Sequence, residues 1–268
     1  MRRLQKAMDE VSEQSTYSFT AWGRRLGRRV IDFLAPPKCL VCHDAVLEPA
    51  SLCLTCWGHL RLIDAPVCNV LGIPFAYDQG EGAISPAALA DPPPWDRARA
   101  AVAYDEASRR IVHGLKYRDM MEAGLLMARL MARAGQPLIE EADVIIPVPL
   151  HRFRLWNRRF NQAAFLSQQI SRQFGKAYRS DVLLRTKASR SQVGLSFDER
   201  RKNVAKVFHV APEGFGHLAG RRVLLVDDVL TTGATAGSCA AVLKKAGAAH
   251  VDVLTFALVL EPKRPHIG

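Results

Sequence analysis

The chain has 268 residues, 49% of them apolar and 24% charged, which suits one substantial core with room for a small satellite and excludes a disordered chain. No apolar run exceeds the one from Val253 to Leu260, broken by Thr255, so a helical membrane-spanning protein is excluded as well. The 37 Lys and Arg against 26 Asp and Glu leave a net charge of +11, which calls for a polyanionic partner: nucleic acid, an acidic membrane surface or a phosphate-rich small molecule.

That charge is uneven. Residues 1–30 hold 7 basic and 3 acidic side chains, residues 31–150 hold 10 and 15, and residues 207–268 hold 6 and 5. Residues 151–206 hold 14 and 3, so this one block is as basic as the whole chain.

In chain order, residues 1–34 read as a basic helical segment. Phe19, Trp22, Leu26, Val30 and Phe33 recur at helical spacing beside Arg24, Arg25, Arg28 and Arg29. Docking on the neighbouring module is favoured for this stripe over a membrane surface. Arg2 and Arg3 precede no compact apolar run, and Asp9, Glu10 and Glu13 argue against a transit peptide, so a cytoplasmic location is expected.

Residues 35–91 read as a zinc-ribbon module. Cys39 and Cys42 form one C-x2-C pair, and Cys53 and Cys56 form another after a ten-residue gap. Each pair places two thiolates on one turn, and together they supply the four-sulfur set that structural Zn²⁺ prefers. Metal would replace the core that so short and polar a segment lacks. A disulfide pair competes, but nothing directs the chain to an oxidising compartment. His43 and His59 are spare ligands at most, and Cys239 reads as a small buried hydrophobe. The stretch after Cys68 is rich in Gly, Ala and Pro, and the boundary is placed close to Pro92.

Residues 92–268 alternate strands and helices. Strands are expected at Ala100–Tyr104, Asp143–Pro147, Asp181–Leu184, Val223–Val226 and Val251–Leu258. Helices are expected at Ser108–Tyr117, Glu122–Ala134, Asn161–Phe174 and Thr235–Ala246, with Met120, Met121, Met127 and Met131 as core. This order predicts an α/β fold with a mainly parallel sheet and helices on both faces.

The most informative run is 223–235. A buried strand ends in Asp227 and Asp228, and a turn of Thr231, Thr232, Gly233, Ala234 and Thr235 opens a helix. Backbone N–H groups of such a turn, backed by a helix N-terminus, form an anion cradle to which the threonines add hydroxyls. Gly233 would let the backbone approach the ligand. The acidic pair would repel a bare phosphate, but it can accept hydrogen bonds from sugar hydroxyls and support hydrated Mg²⁺. Neither a Walker loop nor a dinucleotide Gly-x-Gly-x-x-Gly fingerprint is present.

This run resembles the phosphoribosyl pyrophosphate signature of type I phosphoribosyltransferases. More narrowly, residues 33–260 resemble the ComF family of competence and DNA-utilisation proteins. The likeness also rests on Ile111 to Arg118, Ile146 to His151, Arg158 to Gln162, and Gln192 to Ser196 followed by Arg200, Arg201 and Asn203. The resemblance implies a type I phosphoribosyltransferase-like domain behind a zinc ribbon. It assigns Asp227 and Asp228 to the ribose hydroxyls and Thr231 to Thr235 to the 5′-phosphate. The loop after Pro149, with His151 and Arg152, is assigned to pyrophosphate, and Arg185 to Arg201 to a mobile flap. Two departures stand out. Leu71, Ser85 and Ala88 replace three of the second ribbon's ligands beside Cys68, so its metal is expected to be lost. Arg159 stands where Gly is usual.

Three functions stay open at this point. One is Mg²⁺-dependent transfer of phosphoribosyl from phosphoribosyl pyrophosphate to an acceptor, with Asp227, Asp228, His151 and Arg152 as the reacting set. The second is handling of single-stranded DNA or nucleotides in competence, alone or with competence proteins. Phe153 and Trp156 within the basic block would then be stacking platforms. The third is a regulator that binds phosphoribosyl pyrophosphate without turnover.

Overall fold

The computed structural model describes residues 36–117, 120–150, 161–185 and 207–260. The expected N-terminal helix, His151, Arg152, the aromatics Phe153 and Trp156, and the flap from position 186 onward lie outside these residues.

Among the described residues seven strands are formed: β1 (Arg97–Ala103), β2 (Val144–Pro147), β3 (Ala177–Tyr178), β4 (Leu183–Arg185), β5 (Phe208–Val210), β6 (Arg222–Leu230) and β7 (His250–Leu258). Five of them make one parallel sheet in the order β1-β7-β6-β2-β3. Val223 to Val226 are wholly buried, and alternate side chains feed opposite faces: Val223 and Leu225 join one apolar cluster, Leu224 and Val226 the other. Burial on both faces is what a parallel strand between helix layers requires.

The helices are α1 (Leu54–Gly58), α2 (Pro86–Ala90), α3 (Glu106–Tyr117), α4 (Met121–Ala134), α5 (Gln136–Glu141), α6 (Gln162–Phe174) and α7 (Ala234–Lys245). Helix α7 covers one face of the sheet through Ala236, Cys239, Ala240 and Leu243, while α3 to α6 cover the other. Each wholly buried Leu or Ile in these layers contributes about 1.5–3 kcal/mol of transfer free energy. A β-carbon at Gly124 would stand 2.5 Å from Phe165, so that glycine lets α4 and α6 approach closely.

Several expectations are corrected. The first strand starts at Arg97, whose charge is compensated and need not stay in solvent: it faces Asp252 in register, with Nη2 2.7 Å from that fully buried carboxylate. Arg222 at 3.6 Å completes the cationic shell, tying β1, β6 and β7 together at the end of the sheet where these strands begin. The strand near Asp181 is β4, which pairs antiparallel with β5 in a separate ribbon. Strand β6 does not stop at Val226 but runs through both aspartates to Leu230, because β7 pairs with it along that whole length. Met127 and Met131 are core, but Met121, on the solvent side of the first turn of α4, is 41% exposed.

The N-terminal module caps the edge of the sheet. Ile63 N–H donates to Ala101 O at 2.9 Å, and Ala103 N–H donates to Arg61 O at 2.8 Å, so the chain around Leu62 runs antiparallel along β1 and covers an open edge. Its first half packs Leu40 and Leu60 into the cluster under α4, and its second half packs Ile63, Val67, Leu71 and Ile73 into the opposite one. Among the described residues no helix is long and apolar enough to cross a membrane.

Candidate functional site

The four sulfurs of Cys39, Cys42, Cys53 and Cys56 lie within 4.8 Å of one another, and those of Cys42 and Cys53 are 3.5 Å apart. Tetrahedral thiolates at ~2.3 Å from Zn²⁺ would stand about 3.8 Å apart, so the set fits zinc with little movement. Local structure builds it. Cys39 N–H donates to Asp44 O at 2.7 Å and His43 N–H to Cys39 O at 3.0 Å, closing the first knuckle. Cys53 is the N-cap of α1, with its sulfur accepting from Cys56 N–H. Burial opposes a Cys39 thiolate, but backbone N–H groups of Cys42, Cys53 and Val41 outweigh it and bring the thiol down to about 6. Burial pushes Cys56 up to about 11, so metal loading must displace its proton and is pH-dependent. His43 lines a cavity of about 600 Å³ against Arg109, Arg110 and His113 of α3, outside the sulfur cluster.

The second half repeats this scaffold with one sulfur, that of Cys68, in place of four. Gly72 N–H donates to Cys68 O at 2.8 Å, as His43 does to Cys39, and Ser85 caps α2 as Cys53 caps α1. Ser85 N–H donates to the Cys68 sulfur at 3.2 Å. Cys68, Ser85 and Ala88 are buried and Leu71 packs into the core, so side-chain packing holds what a metal would hold in the first half. Among the described residues, the only metal-capable group of three or more His, Cys, Asp or Glu is the first tetrad.

The second site lies at the opposite end of the sheet from the Asp252 cluster. Strand β2 leads to β3 on one side, while its other neighbour β6 leads to β7 on the far side, so strand order reverses between β2 and β6. Beyond the carboxyl ends of two such strands an open parallel sheet leaves a crevice for ligands. The last β2–β6 pair is Pro147 with Val226, and Val148 N–H donates to Val226 O at 2.9 Å. Asp227 and Asp228 follow at once, where β6 no longer has β2 beside it. Being consecutive in a strand, their side chains leave on opposite faces, which the reading of a strand ending in a paired carboxylate did not foresee.

Two cations, Lys116 and Arg185, compensate the pair. On the α3 side, Lys116 Nζ lies 2.6 Å from Asp228 Oδ2, and both side chains are less than a fifth exposed. The positive field of Lys116 also reaches Asp227, and that of Arg185, at the end of β4, reaches Asp227 and the buried Cys239. Burial and the neighbouring Asp228 charge push the Asp227 carboxyl up to about 7, despite Asp228 N–H donating to its Oδ1 at 2.8 Å. Carboxyls perturbed by burial and a like charge cluster at functional sites.

After Leu230 the chain turns through Thr231, Thr232 and Gly233 into α7, with Ala234 and Thr235 in its first turn. Gly233 has φ +76°, and a β-carbon there would lie 2.7 Å from Trp95, so glycine is required by its left-handed backbone and by this contact. Asn161, the N-cap of α6, donates to Val148 O at 3.2 Å and so borders the root of the neighbouring loop. The structure thus places Asp227 and Asp228 on the part of β6 beyond β2, and Thr231, Thr232, Gly233, Ala234 and Thr235 in the turn and first helical turn that follow. His151 and Arg152 lie just past the described Leu150. Sequence reasoning missed Lys116, although it sits in the quoted 111–118 motif, because a lysine near a helix end ordinarily reads as solvated. It missed Trp95 because three prolines and a turn surround it.

Residues 30–87 match the double zinc ribbon domain family. The chain is 31% identical to competence protein F of Haemophilus influenzae over 81% of this chain and 94% of that one. It is 33% identical to the DNA utilization protein YhgH of Salmonella typhi over 80% and 87%, and 31% identical to YhgH of Escherichia coli K12 over 81% and 95%. Part of the chain is similar to orotate phosphoribosyltransferase from Aeropyrum pernix, at 15% identity and TM-score 0.33 over 60% of this chain and 80% of that one. With a metal-ready first ribbon, a sulfur-poor second one and a parallel sheet whose strand order reverses beside two aspartates, the chain belongs to the ComF family of competence and DNA-utilisation proteins.

Proposed function

We propose that the crevice between β2 and β6 binds phosphoribosyl pyrophosphate together with Mg²⁺, and that the domain transfers phosphoribosyl to an acceptor. The observation that carries this reading is the acidic pair at the strand-order reversal, followed after Val229 and Leu230 by a Thr/Gly turn that opens a twelve-residue helix. Asp227 and Asp228 would accept hydrogen bonds from the ribose hydroxyls. The hydroxyls of Thr231, Thr232 and Thr235, with the turn N–H groups and the N-terminus of α7, would take the 5′-phosphate. His151 and Arg152, in the loop that leaves β2, would take the pyrophosphate.

The oxygen donors of the pair suit Mg²⁺, but Lys116 already compensates Asp228. A cation that arrives with the ligand's own phosphates fits better than one resident on the protein. Bound there, Mg²⁺ supplies neutralisation of charge on the leaving pyrophosphate. In the transfer, the bond from the anomeric carbon to pyrophosphate oxygen breaks as the acceptor's bond forms. The developing positive sugar needs no protein nucleophile, so the chain's part is orientation, charge and exclusion of water. Incubation with phosphoribosyl pyrophosphate, Mg²⁺ and a panel of bases and amines should release pyrophosphate, and Asp227→Asn/Asp228→Asn should abolish it. Saturable binding without release under every acceptor would leave a sensor and refute turnover.

The charge block and the names of the relatives favour a second reading, single-stranded DNA handling in the cytoplasm. Binding would then weaken steeply with salt, and neutralising Arg152, Arg154 and Arg158 would flatten that slope. An unchanged slope would remove this block from the DNA surface.

A further inference from the structure

We propose that Trp95 is a positioning residue for the Thr231–Gly233 turn, and that the metal-free second ribbon holds it there. The indole is 7% exposed and gripped at both ends. Its Nε1–H donates to Val70 O at 2.8 Å, and Val70 lies inside the knuckle that Cys68 and Leu71 close. Its far edge lies against α7. A β-carbon at Gly233 would be 2.7 Å from Cη2, and one at Gly237 would be 3.6 Å from Cζ3. Trp95 therefore bridges the ribbon to the two glycines that flank the first turn of α7.

The ribbon end of this bridge is itself fixed. The Cys68 sulfur accepts from Leu71 N–H at 3.5 Å and Ser85 N–H at 3.2 Å. Gly72, at φ +70°, lies so close to β1 that a β-carbon would stand 2.8 Å from Ala98 O. Arg99 reaches back with Nη1 to Asn69 O at 3.1 Å and Nη2 to Asn69 Oδ1 at 2.9 Å. Leu71, at a position where a ligating cysteine is expected, packs instead in the same apolar cluster as Trp95. A tryptophan has only two side-chain torsions, and this one is hydrogen-bonded at one edge and packed at the other, so a shift of the ribbon is passed to the turn rather than absorbed. The second ribbon, with Leu71, Ser85 and Ala88 beside Cys68, thus acts as a steric clamp on the loop that opens α7. That the clamped loop receives a phosphate rests on the functional reading above; the clamp does not.

The direct test is hydrogen exchange of the zinc-loaded full chain. The Gly237 amide donates to Gly233 O at 2.7 Å and reports opening of the first turn of α7. Trp95→Phe keeps an apolar ring but cannot donate to Val70 O. It should speed Gly237 exchange about two- to tenfold, the worth of one net hydrogen bond. The Ala142 amide, bonded to Leu138 O at 3.1 Å on the opposite face, should keep its rate. Gly72→Ala, which displaces the ribbon without touching Trp95 or the turn, should give the same local acceleration. An unchanged Gly237 rate in both variants, or equal acceleration at Gly237 and Ala142, would overturn the proposal. Titration of Trp95→Phe with phosphoribosyl pyrophosphate and Mg²⁺ should show a matching loss of affinity. If the parent chain binds none, the ligand assignment fails while Gly237 exchange still decides the clamp.

Discussion

Asp227→Asn should stabilise the ligand-free protein at pH 8 and do so much less at pH 5. The Asp227 carboxyl is pushed up to about 7 by burial and by the Asp228 charge, whereas in the unfolded chain it titrates near ~3.9. Between these values the folded state holds a proton that the unfolded state has lost, so stability falls as pH rises from about 4 to about 7 and is level above. Full conversion of that gap gives about 4 kcal/mol at pH 8, of which about 2–3 kcal/mol accrue above pH 5. Water reaches the half-buried side chain, so about 1–2 kcal/mol between the two pH values is expected. In a domain of this size that is roughly 3–6 °C in Tm. Thermal melts of parent and variant at pH 5 and pH 8 measure it. A variant advantage that is equal at both pH values, or larger at pH 5, would refute the assignment of a neutralised carboxyl at this position.

Three further outcomes follow from particular contacts. Lys116→Met leaves Asp228 with its compensating cation gone and should cost about 2–4 kcal/mol in urea melts, with Asp228→Asn added to it recovering much of the loss. Asp252→Asn strips the carboxylate from Arg97 and Arg222 at the far end of the sheet and should cost about 3 kcal/mol, without altering ligand affinity once folded. Metal analysis should find about one zinc per chain, and none in Cys53→Ser; two in the parent would place a second metal in the ribbon we describe as packed without one.

The periodic parts of this fold were legible because local pattern and tertiary role coincide. Val223 to Val226 read as a strand buried on both faces, and the cysteine spacing reads as a metal site in preference to a disulfide pair. Boundaries failed where a polar residue is compensated by a distant partner. Arg97 reads as solvent-facing until Asp252, 155 positions on, is placed beside it. Asp227 and Asp228 read as the end of a strand until β7 is seen pairing beyond them. The candidate site was legible through its contiguous 223–235 run, while Lys116 and Trp95 were not, since each acts across the fold with no local signature. Gly233 reads from sequence as letting a ligand approach the backbone; the structure gives a separate reason for glycine, its positive φ and the packing of Trp95 against it.

The most direct measurement is calorimetric titration of the zinc-loaded chain with phosphoribosyl pyrophosphate in Mg²⁺, beside Asp227→Asn/Asp228→Asn. Saturable binding at one site per chain, lost in the folded double variant, is the predicted result. Absence of saturable binding to the parent, or undiminished binding to the variant, would contradict the assignment of the β2–β6 crevice.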